Sequence, residues 1–267
     1  MNRYEYTFNL LKEKGEKAFI PFASAGDPDL VTSESIFKTY IDSGADILEI
    51  GYPFSDPIAD GPVNQRAGMR AIEAGLTHAS FFALIKILRK YSDIPVGILI
   101  YANSIYSLGY DTFCRRAADA GIDSLLIADM PPEEHEIIVG YMKKYGLGVV
   151  HIVSELTPDQ RIDQICKQID SFVYVVSRLG PTGTGNNLGE NVKKTISRLK
   201  KRTSKPLCVG FGLSKPAHVK QIVGAGADGA IMGSALVKII ENNQSNKKEL
   251  LKKLAVLVKQ CKKATQQ

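Results

Sequence analysis

Eight short apolar runs divide this chain, and their spacing constrains the fold more than any other feature. They are Ala18–Ala25, Asp46–Tyr52, Val96–Ala102, Ser124–Met130, Gly148–Ser154, Phe172–Ser177, Pro206–Phe211 and Gly229–Ala235, most of them followed at once by Gly, Pro or Asn. Nearly every residue in them is apolar rather than every second one, the pattern of parallel strands covered on both faces. Between them lie stretches of helical period, for example Phe81–Tyr91, Thr112–Ala120, Glu133–Tyr145, Val192–Arg202 and Pro216–Gly224. Strands alternating with helices predict a closed parallel (β/α)8 barrel of the TIM type. A doubly wound open sheet stays open as the alternative, because strand count alone does not prove closure.

One connector recurs. Ser43-Gly44-Ala45-Asp46, Ala120-Gly121-Ile122-Asp123 and Ala225-Gly226-Ala227-Asp228 each sit between a helical stretch and a strand. In each, a Gly able to take positive φ ends the helix and returns the chain to the sheet. The 267 residues suit one barrel, and no Pro/Gly/Ser-rich linker divides them, so residues 1–267 are expected to form a single domain. An extra N-terminal helix precedes the first strand.

The formal charge of +6 raises the question of a nucleic-acid partner. The lysines answer against it: Lys247, Lys248, Lys252, Lys253, Lys259, Lys262 and Lys263 crowd the last stretch, where Leu250, Leu254, Val258 and Cys261 recur at helical spacing. That predicts a C-terminal amphipathic helix with a solvated basic face. The four cysteines form no C-x-x-C pair, which suits a reducing compartment. No stretch has the ~18 uninterrupted apolar residues of a membrane span, and no apolar leader opens the chain. The expectation is a cytoplasmic protein binding neither membrane nor nucleic acid.

In a barrel of this kind the loops after the strands carry function. The second exit is the most informative. Glu49 interrupts an apolar strand with no Lys or Arg nearby in the segment, so its carboxyl should be costly to ionise and suited to proton transfer. Asp56 and Asp60 follow in a loop punctuated by Pro53, Pro57, Gly61 and Pro62. For Asp56 turn chemistry is the simpler reading. Asp60 stands deeper in the loop and can reach back toward Glu49, giving two carboxyls able to divide acid and base roles.

The sixth, seventh and eighth exits carry glycines: Ser177-Arg178-Leu179-Gly180-Pro181-Thr182-Gly183-Thr184-Gly185, Gly210-Phe211-Gly212-Leu213-Ser214 and Gly233-Ser234-Ala235. Glycines let backbone N–H groups approach a phosphate, and Ser234 can begin a helix whose N-terminus favours an anion. The four histidines lack metal-ligand spacing, and His151 fits a hydrogen-bonded strand residue. No Lys lies inside a proposed strand, which argues against a Schiff-base aldolase.

The stretch Leu48-Glu49-Ile50-Gly51-Tyr52-Pro53-Phe54-Ser55-Asp56-Pro57-Ile58-Ala59-Asp60-Gly61-Pro62 resembles the signature of the tryptophan synthase alpha subunit family. The likeness continues through Pro21-Phe22, Ala25-Gly26-Asp27-Pro28, Tyr101-Ala102-Asn103, Ala128-Asp129-Met130-Pro131, Thr182-Gly183 and Gly210-Phe211-Gly212-Leu213-Ser214. The resemblance implies cofactor-free retro-aldol cleavage of indole-3-glycerol phosphate to indole and glyceraldehyde 3-phosphate. It implies Glu49 and Asp60 as catalytic residues and Tyr174 beside the substrate. Phe22, Leu99, Ile152 and Phe211 would hold the indole ring, and Gly183, Gly212, Gly233 and Ser234 the phosphate. Thr182 would orient Asp60. It also implies a beta subunit that uses pyridoxal phosphate, in an αββα assembly, facing Pro53, Asp56, Asn103 and Pro131. Three features depart from the family pattern. Pro181 stiffens the loop before Thr182, Glu155 is expected to bring a carboxylate near the indole end, and Val63-Asn64-Gln65 is unusual after the catalytic loop.

Overall fold

The apolar runs are strands, and the row they form bends round on itself. The computed structural model describes residues 1–176, 188–210 and 212–266, the side chains of 188–191 excepted. The strands are β1 (Ala18–Ser24), β2 (Leu48–Gly51), β3 (Val96–Ile100), β4 (Ser124–Ile127), β5 (Gly148–Val149), β6 (His151–Ser154), β7 (Val173–Val176), β8 (Leu207–Gly210) and β9 (Gly229–Met232). They pair in the order β5-β4-β3-β2-β1-β9-β8-β7-β6, and every pairing is parallel. The two ends of that row, β5 and β6, are separated along the chain by Val150 alone, so they share one position in a barrel of eight. The first strand pairs with the last, Ala18 opposite Gly229. An open doubly wound sheet has no such pairing; this is a TIM barrel.

The predicted runs overshoot the strands at both ends. Asp46 and Ile47 precede β2, and Tyr52 and Ala102 lie past the last ladder residues of β2 and β3. The reason is that apolar side chains continue beyond the ladder into the walls. Tyr52, for instance, packs edge-on against Phe81 with ring centroids 4.7 Å apart. The fifth run is interrupted at Val150, and the stretch expected to be one helix over 133–145 splits into a 3-10 turn, Pro132–Glu134, and the helix Glu136–Lys144.

The helices are α1 (Arg3–Glu13), α2 (Leu30–Asp42), α3 (Pro62–Glu73), α4 (His78–Tyr91), α5 (Ala102–Tyr106), α6 (Tyr110–Ala120), α7 (Glu136–Lys144), α8 (Asp159–Gln168), α9 (Leu188–Lys200), α10 (Pro216–Gly224), α11 (Ser234–Glu241) and α12 (Lys247–Lys263). Among the described residues, two main apolar cores result, with a small third cluster of Phe22, Ala67 and Val237 beside them. The larger lies between sheet and helices, where Phe19, Ile50, Ile98 and Val209 meet the inner faces of the helices. The smaller fills the barrel, with Ile20, Leu126, Phe172 and Ile231 pointing inward. Each such side chain, fully buried, contributes roughly 1.5–3 kcal/mol.

The N-terminal helix closes the floor. A capping box starts α1, with Asn2 accepting from the Glu5 N–H and Glu5 accepting from the Asn2 N–H. Its buried Tyr4 reaches into the barrel, where the hydroxyl lies 2.7 Å from Ser124 Oγ and the ring 5.7 Å from that of Phe172.

The repeated connector proves to be one device used three times. Gly44, Gly121 and Gly226 have φ of 95°, 93° and 101°. The aspartate of each connector then accepts from a backbone N–H at the first or second residue of a neighbouring strand. Asp46 takes Phe19 N–H at 2.8 Å, Asp123 takes Val96 N–H at 2.8 Å and Asp228 takes Leu207 N–H at 3.1 Å. Each is matched by a cation, respectively Lys262, Arg89 and Lys17.

That pairing corrects one expectation. Most lysines of α12 are exposed while Leu250, Leu254, Val258 and Cys261 are buried. Lys262 does not belong to the solvated face: its Nζ sits 2.9 Å from both Asp46 and Glu16. The partners lie far away in the chain, beyond the reach of a helical pattern. Among the described residues no single helix is long and apolar enough to cross a membrane.

Candidate active site

Glu49 is the second residue of β2, in register with Phe22 on β1 and Gly97 on β3. It is 7% exposed, and among the described residues no cation pairs with it. Burial, and after it the charge of Asp60, pushes its carboxyl up to about 8. At neutral pH Glu49 is therefore mainly a carboxylic acid with a proton to give.

Asp60 is held differently. Its Oδ2 accepts from the Tyr101 hydroxyl at 3.0 Å, and that hydroxyl in turn accepts from Ala59 N–H at 3.1 Å. The Tyr101 ring stacks on Phe54 with centroids 5.2 Å apart. Gln65 Nε2 donates to the Asp60 carbonyl at 3.0 Å. Burial raises the Asp60 carboxyl above its usual range, while hydrogen bonds from Tyr101 and Asn64 pull it back. Burial raises both carboxyls, but only Asp60 accepts hydrogen bonds that favour its charged form, so the two sit in different environments.

Both face one cavity of about 470 Å³ at the C-terminal mouth of the barrel. Phe22, Leu99, Ile152 and Tyr174 supply apolar wall. Ile152 and Tyr174 are in register across β6 and β7, and Ile152 is 41% exposed. Tyr174 has room because residue 210 is glycine: any side chain there would collide with its ring. Gly212, Gly233 and Ser234 line the same cavity. Ser234 opens α11 and Pro62 opens α3, and both residues line this cavity. Unpaired first-turn N–H groups and the helix dipole favour an anion there. Thr182, Gly183 and Phe211, and with them Pro181, lie outside the described residues.

Other positions fall elsewhere. Asp56 and Asn103 are exposed on the loop after β2 and on α5, and Pro131 is partly exposed after β4. Pro53 is buried, so it offers the least surface of the four positions matched to a partner. Glu155 is exposed and does not line the cavity, contrary to the expectation of a carboxylate at the indole end; its backbone carbonyl accepts from Arg198. His151 is buried and bonds Gln168 Oε1 at 2.9 Å, as expected of a satisfied strand residue. Two residues at the site had no role assigned from sequence. Tyr101 follows an apolar strand and looks like core until its hydroxyl is placed. Asn64 had shown itself only as an unusual residue.

A family model described as tryptophan synthase alpha chain matches residues 8–266. The chain belongs to the tryptophan synthase alpha chain family. A relative of that name from Photobacterium profundum is 42% identical over 266 residues, covering 99% of each chain. The crystal structure of tryptophan synthase subunit alpha from Legionella pneumophila superposes with a TM-score of 0.92 at 33% identity, covering 99% of this chain and 98% of that one. A chain of the tryptophan synthase complex from Pyrococcus furiosus gives 0.82 at 32% identity, covering 91% and 98%. Membership carries the lyase activity of the alpha reaction, cleavage of indole-3-glycerol phosphate in tryptophan biosynthesis.

Proposed function

We propose that Glu49 and Asp60 carry out this cleavage, with the phosphate held by Gly183, Gly212, Gly233 and Ser234. The observation that supports it best is the pairing of a buried, uncompensated carboxyl with a hydrogen-bonded one over a single cavity. Glu49 gives its proton to indole C3, which makes the ring an electron sink. The glycerol hydroxyl next to the ring then loses its proton to the Glu49 carboxylate. The carbon–carbon bond breaks, its electron pair restores the indole, and the three-carbon fragment leaves as the aldehyde, glyceraldehyde 3-phosphate. Asp60 accepts the ring N–H and stabilises the positive charge that develops there. Acid–base steps of this kind contribute roughly 10²–10⁴-fold each. Phe22, Leu99, Ile152, Tyr174 and Phe211 hold the ring, and Thr182 orients Asp60.

Residues 1–267 act as one domain in the cytoplasm. The alpha reaction needs no cofactor in this chain; pyridoxal phosphate belongs to a beta subunit that receives the indole, in an αββα heterotetramer. Asp56, Asn103 and Pro131, with Pro53 beneath them, form the face toward it. The test is indole release from indole-3-glycerol phosphate, by the chain alone and then with a beta subunit. Slow release that accelerates with the partner is the expected result. Fast release without it makes the chain a stand-alone lyase. No release from folded protein counts against the lyase reading and favours a binding subunit or a sugar-phosphate isomerase.

A further inference from the structure

The two helices that open on the cavity, α3 and α11, start without side-chain caps, since Gly61 and Gly233 precede them. Their relative placement therefore depends on what joins their flanks. Beside the cavity the joint is apolar, with Ala67 of α3 and Val237 of α11 fully buried against Phe22. Further along it is ionic. Glu241, the last residue of α11, accepts from Arg66 Nε at 2.6 Å and from Arg66 Nη2 at 3.0 Å, and its Oε1 also takes Arg70 Nη1 at 3.3 Å. Arg66 and Arg70 lie one turn apart on α3, so two guanidiniums of one helix hold a single carboxylate of the other. Arg70 turns its remaining N–H groups to the buried Asp27 in the loop after β1. Among the described residues these are the only ion pairs that either helix makes. The Arg66 side chain is 54% exposed and that of Glu241 20%, and pairs this open add little to stability. What a two-bonded fork does fix is geometry, because it tolerates little sliding of one helix along the other.

We propose that Glu241 is a positioning residue for the lyase reaction: gripped by Arg66 and Arg70, it sets α11 against α3 and so fixes the span between the phosphate end of the cavity and Asp60. Asp60 lies two residues before α3 begins, and Ser234 is the first residue of α11. Glu241 does not line the cavity, and its effect passes through the two helices. The inference rests on the readings of Asp60 and Ser234 given above and adds a residue to them. The substrate carries its ring at one end and its phosphate at the other, so it must match the span. A ligand that fills one end alone is indifferent to it. Loss of the lock therefore weakens molecules that bridge the cavity and spares those that do not, a signature that a residue serving only the fold lacks.

The test compares the full-length chain with its Glu241→Ala and Glu241→Gln variants. It measures kcat/KM for indole-3-glycerol phosphate and the Kd of a non-cleavable analogue with a plain propyl chain between indole and phosphate. It also measures the Kd of glycerol 3-phosphate, which fills the phosphate end alone. In Glu241→Ala, kcat/KM should fall and the analogue's Kd should rise, each on the order of tenfold, short of the roughly hundredfold that a misplacement of ~1 Å can cost. The Kd of glycerol 3-phosphate should not change. Glu241→Gln keeps an acceptor oxygen for Arg66 and should recover part of the loss. Unchanged values for the two bridging molecules overturn the inference. So does an equal loss for glycerol 3-phosphate, which would make Glu241 a support of α11 and nothing more. Binding of the analogue needs no turnover. An unaltered chain that binds it yet releases no indole would end the lyase reading, while the affinity comparison still decides this one. An unaltered chain that binds neither the analogue nor glycerol 3-phosphate would remove the phosphate reading and this inference together.

Discussion

Tyr101 donates its hydroxyl proton to Asp60 Oδ2 at 3.0 Å while accepting Ala59 N–H at 3.1 Å, so one buried phenol ties the loop of the second strand to the exit of the third. Replacing Tyr101 with Phe removes both bonds and keeps the ring on Phe54. The expected cost is about 1–2 kcal/mol of stability, mostly from the unpaired Ala59 N–H. Asp60 loses a donor that holds its carboxyl down, so the acid limb of kcat/KM should move to higher pH. Equilibrium denaturation and a pH–rate profile check the two effects separately.

Glu49 is raised to about 8, so its acid form persists through neutrality. If that form protonates the substrate, kcat should decline as pH rises through this value, and Glu49→Gln should abolish turnover while substrate still binds. Stability has its own sign. The folded chain holds a proton on Glu49 that the unfolded chain releases from the ordinary glutamate range upward. Stability from this group therefore falls as pH climbs from there to about 8, and levels off above. Glu49→Gln should accordingly unfold at a higher temperature than the unaltered chain at pH 8. A lower midpoint would contradict the burial argument.

Arg70 on α3 forms a two-bonded pair with Asp27 at 2.7 and 2.9 Å, and Asp27 is fully buried. Burial raises the Asp27 carboxyl even against Arg70, so desolvation outweighs the attraction. Arg70→Met strips away the partner, a change that costs about 3–5 kcal/mol where a buried pair is broken. Because Asp27 can take up a proton instead, the lower end is expected, with the loss growing as pH rises. Urea denaturation at two pH values measures it; a loss independent of pH would mean that Asp27 stays charged.

Ser234→Asp puts a negative charge at the α11 N-terminus where the phosphate is proposed to sit. Like charges there should raise KM for indole-3-glycerol phosphate by tenfold or more, on the order of 1.4 kcal/mol, with a smaller effect on kcat. An unchanged KM would remove Ser234 from the clamp.

Much of the architecture was readable from residue order, because parallel strands covered on both faces leave an apolar signature that needs no knowledge of partners. Glu49 stood out for the same reason: a carboxylate is conspicuous where everything else is apolar. Closure was not readable. It depends on Ala18 meeting Gly229 and on a single residue, Val150, dividing the fifth position, and neither leaves a local pattern. Lys262 looked like its neighbours on the helical wheel because its partners, Asp46 and Glu16, come from the opposite end of the chain. Tyr101 and Asn64 were hidden for a related reason. What matters is which atom meets Asp60, and residue type says only that such a meeting is possible.

The pairing of the first strand with the last sets a schedule for biosynthesis. All seven residues of β1 are buried in the finished barrel, yet one flank of that strand finds its hydrogen-bond partners only in β9. A nascent chain emerging from the ribosome carries β1 with an open apolar edge until almost everything else has been made. Such an edge is a template for wrong pairing, and contacts this distant in sequence form slowly. The vulnerable interval for the β1 edge is therefore the time before β9 has been made.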